Sequence, residues 1–254
     1  MSGEPTLHHL RFSHFNEKGR WGLDYKRVAH RRVTEMPGPH PLRSRRLGGA
    51  GTLPLLELAD GSVISDSTDL LAWADENGEG PPLLPADPAE RRRALELEDY
   101  FDEELGPPIR SAVFAALLPD RKATVAVTMQ GLGKGAHLFT NAAYPLVRLG
   151  ISRSLAASEG GGREGRTKTV AALDRLEQEL GGGDYLVGDA FSGADLTAAA
   201  LFSPLAAPPE FPYETPDPWP PTWEEFRSGL ADRPGLAWVT EMYRRHRGSS
   251  AEVA

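Results

Sequence analysis

The chain has 254 residues, 40% hydrophobic and 25% charged, with a net charge of −8 and no cysteine. That composition is globular, with enough length for one large core or two smaller ones. It excludes disulfides, thiolate metal sites and a cysteine nucleophile, and the acidic balance argues against a nucleic-acid binder, which needs a basic surface.

The acid excess lies late in the chain. Residues 1–79 hold ten Lys+Arg against eleven Asp+Glu, which leaves about −7 for the remainder. No run approaches 18 apolar residues, and MSGEPTLHHL lacks the form of a signal peptide. A cytoplasmic protein without a membrane or nucleic-acid partner is expected.

Residues 7–12 and 27–34 read as strands around a helix over about 16–26. In that helix Trp21, Tyr25 and Val28 fall at i, i+4 and i+7. Gly19 and Gly22 weaken it by about 1 kcal/mol each relative to alanine, so they signal close packing. MPGPHPLRSRRLGGAG is irregular, with at most a short helix. GTLPLLELADGSVISDS reads as a hairpin, with strands at Leu53–Leu58 and Val63-Ile64 around a turn at 59–62. Asp66 or Ser67 can cap the helix that follows, to about Glu76.

ENGEGPPLLPADP reads as a linker, and after it strands vanish. Helices are predicted over 89–117 with an interruption at Gly106-Pro107-Pro108, and over 120–150 as one helix or a pair broken at GLGKG. A third covers 163–180, where Val170, Leu173, Leu176 and Leu180 repeat at helical spacing. Two more are predicted over 192–204 and 223–246, with FPYETPDPWPP a loop between them. The expected division is a mixed α/β domain at 1–79, a linker at 80–88, an all-helical domain at 89–246 and a disordered tail at 247–254.

Four short stretches carry candidate chemistry. Phe12-Ser13-His14-Phe15-Asn16-Glu17-Lys18 joins the first strand to the first helix. A helix N-terminus offers unpaired N–H groups and about half a positive charge. Ser13 or Asn16 can cap that end or donate to an anion held there. Gly51-Thr52-Leu53-Pro54 opens the hairpin, and Asp66-Ser67 opens the next helix. Ser192-Gly193-Ala194-Asp195 is an S-x-x-D variant of the capping box before an apolar run.

Other patterns fail. The seven histidines are scattered, and His8 and His9 in a strand point to opposite faces, so no metal is expected. Gly131-Leu132-Gly133-Lys134-Gly135 lacks the P-loop spacing and its Ser/Thr.

A small α/β domain followed by a helical one, carrying these four stretches, resembles the cytosolic glutathione transferase superfamily. The resemblance implies a thioredoxin-like α/β N-terminal domain followed by an all-α domain. It places Ser13 where the leading reactive residue of the family sits, with Asn16 as the competing thiol-activating residue. It implies that Thr52, Leu53 and a cis Pro54 contact a peptide thiol, and that Asp66 and Ser67 hold its γ-glutamyl end. His40, with Arg43 and Arg46, is a candidate for its glycine end. Phe15, Tyr100, Phe101 and Phe114 are candidates for a second-substrate pocket, although aromatics at helical spacing also build cores. Ser192 and Asp195 are given a structural capping role.

The function implied is transfer of glutathione, or a related low-molecular-weight thiol, to an electrophilic small molecule, as in detoxification. Thiol-dependent isomerisation and a noncatalytic scaffold are the alternatives. The family also implies a homodimer. Two departures stand out: His14 replaces the proline common after the reactive residue, and the absence of cysteine removes mixed-disulfide chemistry.

Overall fold

In the computed structural model, which describes residues 3–253, the first strand lies inside a four-stranded sheet. β1 (Thr6–His9) pairs parallel with β2 (Arg31–Thr34) and antiparallel with β3 (Leu55–Glu57). β4 (Val63–Ile64) pairs antiparallel with β3, giving the order β2-β1-β3-β4. A parallel neighbour requires a crossover, and α1 (His14–Tyr25) supplies it. Leu7 and Leu56 stand opposite each other across β1 and β3. They are buried with Leu23 of α1, Val28 after it, and Leu70 and Ala74 on the helix that follows β4. α2 (His40–Arg46) is short, and α3 (Ser67–Asn77) closes the first domain.

The first strand ends earlier than its apolar pattern suggests. The Leu10 N–H donates to Asn16 Oδ1 at 2.9 Å, away from the sheet. α1 correspondingly begins at His14, capped by Ser13, rather than near residue 16.

Helices follow without further strands: α4 (Pro88–Glu104), α5 (Gly106–Leu117), α6 (Arg121–Thr128), α7 (Lys134–Ala142), α8 (Tyr144–Ser154), α9 (Glu159–Leu180), α10 (Gly193–Ala206), α11 (Pro221–Ser228) and α12 (Pro234–His246). The thioredoxin-like plus all-helical fold is thus the one expected. Two stretches divide more finely than their apolar pattern indicates. Residues 120–150 hold parts of three helices, and the expected helix over 223–246 is two. Proline has no N–H and clashes with the preceding turn, so Pro234 starts a new helix instead of continuing one.

α10 is the hub of the second domain. Ala194, Ala198, Ala199 and Ala200 are fully buried, and such small side chains let α1, α4 and α12 approach. Trp21 and Leu71 of the first domain lie inside this same core. Gly22 lets α1 and α3 pack closely within the first domain: a Cβ there would stand 2.2 Å from Leu71 Cδ2.

Residues 247–253 are not the disordered tail that their small, polar composition suggests; Ala254 lies outside the described residues. Arg247 is buried and donates to Glu17 Oε1 at 2.6 Å and to Asp24 Oδ2 at 2.9 Å. Asp24 also receives Arg32 at 2.7 Å and the Ala251 N–H at 2.8 Å. The Val253 N–H then reaches His30 O at 2.9 Å. These buried charges are each paired, as burial demands.

Candidate functional site

The turn between β1 and α1 is held from several sides. Buried Arg20 donates to the Leu10 carbonyl at 3.1 Å, the Arg11 carbonyl at 3.1 Å and the Ser13 carbonyl at 3.4 Å. Its remaining bonds go to Glu17 at 2.9 Å and to His9 Nδ1 at 2.8 Å. These bonds tie the turn to α1 and β1 without help from a ligand.

Asn16 fixes what that turn presents. Its Oδ1 accepts from Leu10 N, so its orientation follows. Its Nδ2 donates to Ser13 Oγ at 2.8 Å and to the Leu53 carbonyl at 3.1 Å. Both amide hydrogens are spent, and the side chain is buried. In this geometry the Asn16 amide hydrogens are engaged inside the turn rather than directed at the cavity.

Ser13 is placed differently. Its oxygen accepts from Asn16 Nδ2 and, at 3.4 Å, from the Asn16 backbone N–H. Among the described residues, its own hydrogen has no acceptor. It opens on a cavity of about 250 Å³ at the N-terminus of α1. The Leu53–Pro54 bond is cis. One lone pair of the Leu53 carbonyl is already taken by Asn16, which leaves the Leu53 N–H as its main offer to a ligand. Thr52 and Leu53 line this cavity, as does His40, whose Nδ1 accepts from Gly38 N at 3.2 Å. Burial lowers the pKa of His40, partly offset by Glu35.

A second cavity of about 540 Å³ adjoins the first and is shared by Thr52, Leu53, Pro54, Asp66 and Ser67. Asp66 caps α3 through Oδ1, which accepts from Thr68 N at 2.8 Å and Asp69 N at 3.4 Å. Asp69, Asp99, Asp102 and Glu103 also line it, which suits an ammonium group. Asp102 is partly committed, because buried Lys18 bridges it to Thr68 Oγ1 and to Glu98.

Of the aromatic candidates, Phe15 and Phe114 line the first cavity. Tyr100 and Phe101 do not. Phe101 is fully buried in the helical core against Phe202, and Tyr100 packs on Phe101 with Arg175 over its ring at 5.5 Å. Their positions on α4 face α9 and α10 instead of the domain interface. Ser192 and Asp195 form a closed capping box. The Asp195 carboxylate accepts from Ser192 N and Leu186 N at 2.8 Å and from Ser192 Oγ at 2.7 Å.

The cavity has walls that no motif announces. The loop read as FPYETPDPWPP contributes Phe211, Glu214, Thr215, Pro216 and Trp219, and α6 and α8 contribute Val127, Thr128, Ile151 and Ser154. His14, which replaces a proline, donates from Nε2 to the Gly106 carbonyl at 3.0 Å and so pins α1 to the start of α5. Gly106 is required there: a Cβ would stand 2.2 Å from Phe15 Cζ. Arg110, one turn along α5, lines both cavities. Among the described residues no group of three or more His, Cys, Asp or Glu is arranged to hold a metal.

Comparison with known proteins bears on the family and the fold. Residues 7–82 match the family model described as Glutathione S-transferase, N-terminal domain, and residues 141–237 match Glutathione S-transferase, C-terminal domain. The chain is 28% identical over 247 residues to FtsZ-localized protein A of Caulobacter vibrioides, across 93% of this chain and 96% of that protein. A glutathione S-transferase structure from Xanthobacter autotrophicus superposes with a TM-score of 0.64 at 20% identity, covering 95% of this chain and 93% of that one. A Methylobacillus flagellatus glutathione S-transferase with glutathione bound gives a TM-score of 0.55 at 18% identity, covering 93% of this chain and 98% of that one.

Proposed function

Because the chain belongs to the glutathione transferase superfamily, we propose that it binds glutathione, or a related low-molecular-weight thiol, with the sulfur at Ser13 and transfers it to an electrophilic small molecule. The observation that carries this reading is the Ser13 hydroxyl, whose oxygen is engaged by Asn16 while its hydrogen is left for a ligand. A hydroxyl that already accepts hydrogen bonds is a stronger donor. Lowering a thiol pKa by two units takes about 2.7 kcal/mol. One charge-assisted hydrogen bond and a helix N-terminus together supply that much.

In this reading the Leu53 N–H meets the peptide backbone, Asp66 and Ser67 take the γ-glutamyl ammonium and carboxylate, and His40 stands near the glycine end. The thiolate attacks an electrophilic carbon in the apolar cavity. The S–C bond forms, and the leaving group departs with the electron pair of the bond it loses. Ser13 holds the sulfur's charge until that moment, and the walls exclude competing water.

The test is a calorimetric titration with glutathione and a panel of small thiols. It is followed by the pH dependence of thiolate absorbance in the parent and in Ser13→Ala. The variant should still bind, raise the pKa of the bound thiol and lose at least about tenfold in turnover at neutral pH, equivalent to 1.4 kcal/mol. The loss should narrow at high pH. An unchanged thiolate titration in Ser13→Ala refutes the assignment.

A noncatalytic binding role is the second reading, favoured by the end-to-end similarity to FtsZ-localized protein A. Thiol binding without turnover across a broad electrophile panel would select it. Thiol-dependent isomerisation uses the same thiolate and is distinguished by the absence of net thiol consumption. We place the protein in the cytoplasm as a homodimer.

A further inference from the structure

Arg110 is a cation without a counter-charge. Its Nε is buried and has no hydrogen-bond partner. Among the described residues no carboxylate pairs with its guanidinium, and its nearest ring is Phe15, 5.8 Å from the guanidinium carbon. Burial alone lowers its pKa, with no neighbouring acid to oppose the shift. It also helps hold His14 neutral. Among the described residues the deeply buried arginines are satisfied, Arg20 by Glu17 and Arg247 by Glu17 and Asp24, whereas half-buried Arg110 has no such pair. Partly desolvating a charge without pairing it costs free energy, and an anion that pairs with Arg110 would recover that cost.

Its place says what it waits for. The bond from His14 to Gly106 fixes the first turn of α5 on the N-terminus of α1. Arg110 lies four residues on, on the same face of the helix, and lines the cavity that contains Ser13. Arg110 also borders the adjoining cavity, whose carboxylates belong to α3 and α4, but among the described residues none of them forms an ion pair with it. In the Ser13 cavity the acid is Glu214, which is exposed. The rest of that wall is largely apolar, with Val113, Phe114, Leu117 and Trp219 among its residues.

We propose that Arg110 forms an anion subsite for the second substrate, so that the preferred electrophile has an apolar body bearing a carboxylate. The subsite rests on the thiol-binding reading for its place in a reaction, but not for its ability to bind an anion. A guanidinium in a water-poor pocket forms a bidentate, charge-assisted pair with a carboxylate, and the empty pairing capacity of Arg110 is satisfied when that substrate binds.

The experiment compares S-benzylglutathione with S-(4-carboxybenzyl)glutathione by calorimetry, in the parent and in Arg110→Gln, with free 4-phenylbutyrate as a thiol-independent probe. The parent should bind the carboxylated adduct at least tenfold more tightly than the neutral one. Arg110→Gln should abolish that difference, leave S-benzylglutathione within about threefold, and lose phenylbutyrate binding. Its thermal midpoint should hold or rise, and Arg110→Met gives the same readout if the glutamine variant folds poorly. Equal weakening of both adducts would mean that Arg110 serves the peptide, and overturns the subsite. So does a parent with no preference between them. Failure of both adducts with Arg110-dependent phenylbutyrate binding would sink the thiol reading and keep the anion site; failure of all three probes removes both.

Discussion

Lowering the pH from 7.5 to 5 should destabilise this protein, and His14→Gln should recover a defined part of the loss. Burial, aided by the Arg110 guanidinium, holds His14 down to about 3 against an ordinary value of 6.5. The folded state therefore keeps this imidazole neutral, while the unfolded chain takes up a proton as the pH drops through 6.5. Its contribution is complete above that value and is lost progressively down to about 3. At pH 5 the loss from one such group is about 2 kcal/mol. His9, held down to about 2 by burial and by Arg20, Arg32 and Arg11, adds a loss of the same sign and size. Asp195 acts oppositely: burial pushes it up to about 6, so protonating it in the folded state returns about 1 kcal/mol over the same interval. These three groups together should cost roughly 2 to 3 kcal/mol between pH 7.5 and 5, and His30, His40 and His246, each lowered by burial, add to the loss in the same direction. The substituted amide can still donate to the Gly106 carbonyl but carries no titrating proton. Urea unfolding curves at both pH values measure the difference. The variant's pH-dependent loss should be smaller than the parent's by about 2 kcal/mol, and equal losses in the two proteins would refute the buried neutral histidine.

Three further outcomes follow from the geometry. Asn16→Ala removes bonds to Leu10, Ser13 and Leu53 and should cost about 2 to 4 kcal/mol in chemical denaturation, with activity falling through a disordered Ser13; a stability change below about 0.5 kcal/mol rejects the clamp. Ser192→Ala should lower stability by about 1 kcal/mol or more while thiol affinity of the folded protein is kept, and an unchanged melting temperature would reject the capping role. The proposed homodimer joins exposed Arg43, Arg45 and Arg46, beside exposed Leu42, to the acidic exposed face of α4 around Glu96 and Leu95; mass measurement at micromolar concentration should give twice the chain mass, and a clean monomer would sink the idea.

The sequence made the domain order legible because period-two and period-3.6 patterns stop and start at a Pro/Gly-rich linker. Local signals survived well where one residue type has one local job. Asp66 caps α3, the 59–62 turn closes β3 on β4, and Ser192 pairs with Asp195 three residues on. What stayed hidden depends on distant partners. Arg20, Glu17 and Arg247 look like ordinary surface charges in a helix and a tail, and their burial arises from contacts up to 230 positions apart. Tyr100 and Phe101 carry the same aromatic signature as Phe15 and Phe114, and helix rotation alone sorts core from cavity. Arg110 gives no sequence signal, because the missing partner that makes it informative is visible only in three dimensions.

The return of Arg247 to Glu17 and Asp24 also governs cooperativity. Glu17 and Asp24 belong to the first domain, yet part of their neutralisation comes from a residue beyond the last helix of the second. Trp21 of α1 leans the same way, its indole N–H donating to the His246 carbonyl at 3.0 Å. Cut away from its partner, the first domain would hold two buried carboxylates short of a cation and a tryptophan facing water. The two domains should therefore melt together in one transition, and a calorimetric trace with two separate transitions would refute this coupling.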